Sequence, residues 1–242
     1  MKEQRFDKII SSQFNISRKD ARIGIRRGKG TVDGVVIKDP SAQVSPDAQI
    51  SYDGQALQYK EYIYILMNKP KGVLSATTDK NKKTVVDLVP PKFKRNNLFP
   101  VGRLDKDTTG LLIITDDGEF AHNAISPKKD VLKTYIATLD GKVTDEMADI
   151  FSKGVVLADG TLCKKAFLKP LGDNKAEIKI SEGKYHQIKR MFGMVGLGVN
   201  ELCRVGFGDL SLPSDLQEGE CKELETWEIK AIFEKVNKNI AN

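Results

Sequence analysis

The chain has 242 residues, 40% of them hydrophobic and 30% charged, so one large domain, or a small one joined to a medium one, is expected. These proportions argue against a collagen-like, wholly disordered or membrane-spanning protein, and no apolar run approaches the roughly 20 residues that a transmembrane helix needs. Thirty-nine Lys and Arg against thirty-three Asp and Glu leave a net charge of +6, which favours a polyanionic partner if the surplus is concentrated.

The first eight residues are charged and do not form a signal-peptide core, so a cytoplasmic location without membrane attachment is expected. Three widely spaced cysteines imply no disulfide framework. Two histidines and no CxxC pair give no basis for a zinc site.

From the N-terminus, Phe6, Ile9, Ile10 and Phe14 recur at helical spacing and predict a helix over 6–14. Ser17 followed by Asp20 reads as the cap of a second helix ending at Gly28. Arg18, Arg22 and Arg26 share one face of it, with Lys19, Arg27 and Lys29 close by. Like charges at that spacing repel, a phosphate backbone would neutralise them, and a solvated helix face is the alternative. Asp33-Gly34 then fits a type I′ hairpin turn within 31–37. Helix, basic helix, glycine and hairpin together resemble the S4-type (αL-like) RNA-binding domain over about 5–57. Gly30 departs from that resemblance, since an apolar residue commonly opens the strand there, and it is expected to loosen the start of the hairpin.

From Glu61 onward, strands are predicted over 62–67, 111–115, 132–139, 176–180 and 204–212. Helices follow Thr144, cover 188–195 and close the chain over 227–236. Strands and helices do not strictly alternate, so the class is α+β. The organisation expected is a domain over 1–58 and a larger one over 61–238.

Three stretches stand out. In Pro100-Val101-Gly102-Arg103-Leu104-Asp105-Lys106-Asp107-Thr108-Thr109-Gly110, turn chemistry accounts for Asp107 and Gly110 but leaves Arg103 and Lys106 bracketing Asp105 unexplained. Flanking cations favour an ionised carboxylate, which can act as a nucleophile or oppose a cationic sugar. In Glu182-Gly183-Lys184-Tyr185-His186-Gln187-Ile188-Lys189-Arg190, His186, Lys189 and Arg190 share a helix side; this is either plain surface or a source of positive charge in a cleft. Asn68-Lys69-Pro70-Lys71-Gly72 leaves a strand through a tight turn. Basic loops at Lys80, Lys82, Lys83, Lys92, Lys94 and Arg95, and at Lys128, Lys129 and Lys133, read equally as phosphate contacts or as solvated loops.

In combination and order, these stretches behind an S4-type domain resemble the pseudouridine synthases, in the branch of ribosomal small subunit pseudouridine synthase A. The resemblance implies a mixed, mainly antiparallel central sheet flanked by helices in the larger domain. It implies an isomerase that detaches uracil from its ribose, rotates it and rejoins it through carbon, with no cofactor and no metal. By the same resemblance Asp105 is the essential carboxylate, Tyr135 lies against the flipped base, and Lys189 contacts the carboxylate, with Arg190 in reserve. Arg18, Lys19, Arg22, Arg26, Arg27, Lys29, Asn68, Lys69, Arg103, His186 and Arg190 are the expected RNA contacts.

Within that resemblance, Tyr52-Asp53-Gly54, the stretch around His186 and the short end of the chain after Trp227 look like the small-subunit enzymes, so the expected partner is 16S rRNA, within a ribonucleoprotein or assembly intermediate, bound by a monomer. Modification of 23S rRNA and a non-catalytic RNA-binding protein are the alternatives. A nucleosidase would need two carboxylates across the bond, and Asp105 and Asp107 would face opposite ways in an extended segment.

Overall fold

Phe6, Ile9 and Ile10 give the first helix one apolar face, and its burial together with Ala21 and Ile25 organises the N-terminal part of the chain. The computed structural model describes residues 3–234. They divide into two units. One runs to Ile63 and takes in Pro90–Leu98, and the other comprises Tyr64–Val89 and the chain from Phe99 onward.

The first unit contains β1 (Gln4–Arg5), α1 (Phe6–Gln13), α2 (Arg18–Arg26), β2 (Gly30–Val32), β3 (Val35–Val36), β4 (Gln43–Val44), β5 (Ile50–Tyr52) and β6 (Gln55–Leu57). β1 pairs with β4, and the other four strands form an antiparallel sheet in the order β3-β2-β5-β6. α2 begins where Ser17 accepts a hydrogen bond from the Asp20 N–H, and it ends before Gly28, whose φ is +80°. Asp33 and Gly34 both have positive φ, as a type I′ turn requires. Gly30 does not loosen the hairpin. It pairs with Tyr52, and a Cβ there would stand 2.6 Å from the Phe6 ring, so the missing side chain makes room for a buried core residue.

Asp7 corrects one expectation about α2. Its fully buried carboxylate accepts from Arg5, from Arg18 Nη2 at 2.6 Å and from Arg22 Nε at 2.7 Å. Two of the three stacked arginines thus have a counter-charge within the fold, where none was expected. Pro90–Leu98 falls beyond a boundary at 58–61, yet Arg95 donates to Lys60 O and Gln13 Oε1, at 2.9 and 3.0 Å. Sequence reading left Arg95 between phosphate contact and solvated loop, and these bonds give it a place in the fold.

The second unit contains β7 (Tyr64–Lys69), β8 (Phe99–Pro100), β9 (Thr109–Thr115), α3 (Gly118–Ile125), β10 (Lys133–Leu139), α4 (Asp145–Lys153), β11 (Phe167–Pro170), β12 (Lys175–Ile180), α5 (Gln187–Met194), β13 (Val199–Phe207), β14 (Leu210–Ser211), β15 (Cys221–Glu223) and α6 (Thr226–Ala231). Its sheet runs β11-β12-β10-β13-β9-β7-β15, with β14 on β13 and β8 on β9. Among the described strands of this sheet, the β13–β9 pairing alone is parallel, so the sheet is mixed and mainly antiparallel, as expected.

Leu66, Leu111, Ile113 and Phe207 join Phe120 of α3 and Ile232, just past α6, in one core, while Ile65, Met67, Leu112 and Ile114 alternate with them and are equally buried. The sheet is thus covered on both faces at its centre. The parallel seam depends on Gly110, whose φ is +99° and where a Cβ would meet Arg204 O at 2.2 Å. Val236 of the expected closing helix lies outside the described residues. Among the described residues, no helix is long and apolar enough to cross a membrane.

Candidate active site

The loop between β8 and β9 carries Asp105, and the segment leaving β7 cradles it. Lys69 is fully buried, and its Nζ donates to Pro70 O, Thr108 O and Lys106 O at 3.1, 2.9 and 3.4 Å. Gly72 N–H donates to Lys106 O at 2.7 Å, and Ser75 Oγ donates to Leu104 O at 2.8 Å. Burial pulls the Lys69 ammonium down to about 8, against the opposing pull of Asp107 and Asp105. Asn68 is also buried and donates to Leu216 O. The structure therefore corrects the expectation that Asn68 and Lys69 touch RNA. Lys69 holds the loop that presents Asp105, while Asn68 ties β7 to the segment at Leu216.

Asp105 opens onto a cleft with Arg103, Leu104, Thr108, Tyr135, Ile180, Lys184, His186, Gln187, Ile188, Lys189 and Leu202 around it. Tyr135 comes from β10, where residues 133–139 alternate buried and half-buried, and it faces the cleft beside Leu202 and Ile180. Thr108 is 1% exposed, and its hydroxyl has no hydrogen-bond partner.

The rim facing Asp105 is built by the turn before α5. Glu182 accepts from Lys164 N–H at 2.8 Å, from Gln187 Nε2 at 2.8 Å and from the Lys184 ammonium. His186 caps the helix with φ +47°, a left-handed conformation that few side chains adopt. Its Nε2 lies 3.6 Å from Asp105 Oδ1, within ion-pair range but too long for a hydrogen bond.

Lys189 reaches the same cleft but binds Asp107, at 2.7 and 2.6 Å, so the expected contact with Asp105 is not made. Lys189 holds the Asp107 carboxyl below the ordinary carboxylate range, against a smaller opposing effect of burial. Arg190, the reserve candidate, is engaged by Asp159 and by Tyr185 O. Arg103 is exposed at the cleft. In the first unit, Arg18, Lys19, Arg22, Arg26 and Arg27 are exposed on or beside α2, and Lys29 pairs with Asp53 at 2.8 Å. Lys133 is buried over the Phe207 ring, which fits neither of its two readings, phosphate contact or solvated loop.

Sequence reading missed Thr108, Leu202, Glu182 and Gln187 at the site. Leu202 lies in the half of β13 not predicted as strand. The others carry no pattern that separates them from turn residues.

Asp105 and Tyr135 thus line one cleft, with basic side chains at its rim, on a mixed sheet flanked by helices. The sequence profile of the RNA pseudouridylate synthase family matches residues 63–193. The chain is 41% identical to the RNA pseudouridine synthase YtzG of Bacillus subtilis, over 95% of this chain and 98% of that one. It is 39% identical to ribosomal small subunit pseudouridine synthase A of Escherichia coli, over 94% and 99% of the two chains. A crystal structure of a pseudouridylate synthase matches it with a TM-score of 0.66 at 34% identity, covering 94% of this chain and 99% of that one. The chain belongs to the RNA pseudouridine synthases.

Proposed function

We propose that this enzyme converts a uridine of ribosomal RNA, in the 16S molecule, to pseudouridine, with Asp105 as the essential carboxylate and no cofactor. The observation that carries this reading is the convergence of Asp105 and Tyr135 on one cleft with an apolar floor and a basic rim. The small-subunit substrate rests on the named E. coli relative.

A stacked uridine must first leave the helix, at a cost of about a few kcal/mol. The ring of Tyr135 then receives the base, and Asp105 acts on the ribose. The N1–C1′ bond breaks and the C5–C1′ bond forms. The proton leaves C5 and N1 takes one up, so the reaction is an isomerisation with balanced atoms. Lys189 supplies positive charge at the cleft wall, and Lys69 keeps the loop in place from behind.

The first unit is read as an S4-type RNA-binding domain, the domain over 1–58 supplemented by Pro90–Leu98, with the catalytic domain over 61–238. A helix pair followed by a hairpin supports this, as do the exposed Lys19, Arg26 and Arg27 on or beside α2.

Tritium release from 16S transcripts made with [5-³H]uridine tests the reading. Release by wild type and none by Asp105→Asn, with RNA affinity retained, is expected. Release from 23S transcripts alone would move the substrate, and release from neither would contradict the reaction.

A further inference from the structure

Tyr185 is the most exposed large hydrophobic side chain among the described residues, at 72%, and burial does not explain it. One face of its ring stacks on His186, with centroids 3.9 Å apart and planes 17° from parallel. His186 in turn lies 3.6 Å from Asp105. A continuous line of groups thus runs from the reacting carboxylate out to the second, open face of Tyr185.

The turn that carries the ring is tied in place. Glu182 ties the turn together through Lys184 and Gln187, and Arg190 donates to Tyr185 O while pairing with Asp159. An exposed aromatic face beside a cleft with a basic rim is what a base needs in order to stack without sequence readout.

We propose that the outer face of Tyr185 is a stacking platform for the base next to the flipped uridine. This deepens the functional reading above and rests on it. Removing one nucleotide from a stack exposes the face of its neighbour, and Tyr185 covers that face at the mouth of the cleft. The platform therefore lowers the cost of keeping the target extruded, and it acts on any base because every base has a π-face.

The test uses the full chain and the 16S transcript, with Tyr185→Ala, Tyr185→Phe and wild type compared in tritium release and filter binding. Tyr185→Ala is expected to lower kcat/KM by about 5- to 150-fold, the range of one base–aromatic stack, with an unchanged melting temperature. Tyr185→Phe retains wild-type values. Once the modified position is mapped, an abasic site at the contacted neighbour slows wild type and leaves Tyr185→Ala no slower than before. Wild-type kcat/KM in Tyr185→Ala, or equal losses in Phe and Ala, overturns the platform. If wild type itself releases no tritium, the reaction reading fails separately. Filter binding then decides the platform: weaker binding by Tyr185→Ala, restored by Phe, supports it, and wild-type affinity overturns it.

Discussion

Lys189 is bound by Asp107, at 2.6 Å, while Asp105, two residues earlier in the same loop, faces the cleft with His186 as its nearest basic side chain. The two carboxylates therefore have different work. Asp107 fixes a lysine at the rim, half in solvent, where a single pair contributes at most about 1 kcal/mol. Asp107→Asn is expected to keep the melting temperature within about 2–3 °C and to retain activity within about tenfold. Asp105→Asn is expected to keep the fold and lose turnover. Parallel kinetics and thermal melts of the two variants check this.

Lys69 gives a second prediction. Replacing it by Met fills similar space but leaves three loop carbonyls without their donor, at a cost of about 3 kcal/mol. Lys69→Met should therefore melt lower and lose activity although Lys69 is fully buried. RNA affinity read by filter binding should stay close to that of wild type. Strongly reduced RNA affinity at unchanged stability would return Lys69 to the RNA interface.

Asp7 links stability to acid. Burial alone would raise its carboxyl, but hydrogen bonds from Arg5, Arg22 and Arg18 outweigh burial and hold it well below the ordinary carboxylate range. A group depressed in the folded state stabilises above its unfolded value, near 4, and loses that contribution as pH falls towards the folded value. Asp7→Asn should destabilise the first unit by about 1–3 kcal/mol at pH 7, and the gap from wild type should close progressively below about pH 4. Melts of both proteins from pH 2 to 7 measure it, and a constant gap would contradict the pairing.

Gly110 marks the seam behind the site. Gly110→Ala would place a methyl 2.2 Å from Arg204 O in a backbone conformation with φ +99°. A loss of at least about 3 kcal/mol is expected, read as a drop in the urea midpoint. Gly183→Ala, where a Cβ meets open space, is the control and should be near neutral.

What the sequence made legible follows how local each signal is. The Ser17 cap and the Asp33-Gly34 turn are set by neighbouring residues, and they were readable; the strand over 132–139 was too, while the place of Tyr135 came from the family resemblance. The start of β13 was not, because Asn200 and Glu201 are poor strand formers; Glu201 is placed there by pairing with Thr138 of β10, and Asn200 falls at a register shift. α3 has eight residues and a short apolar stripe, which left it below notice. Lys69 and Asp7 misled for one reason. A lysine before Pro-Lys-Gly reads as surface, and three arginines on one face read as unpaired. Their partners come from Thr108 and Lys106, 39 and 37 positions away, and from a carboxylate one helix earlier. The cations beside Asp105 marked it as more than a turn needs, but composition alone still favoured a turn, and its expected role came from the family resemblance.

The most direct test is a pseudouridine map of ribosomal RNA from cells lacking this chain, complemented with wild type or with Asp105→Asn. One uridine of the small subunit restored by wild type and not by Asp105→Asn is the predicted result. Restoration by both would remove Asp105 from the chemistry, and an unchanged map in the deletion strain would contradict ribosomal RNA as the substrate.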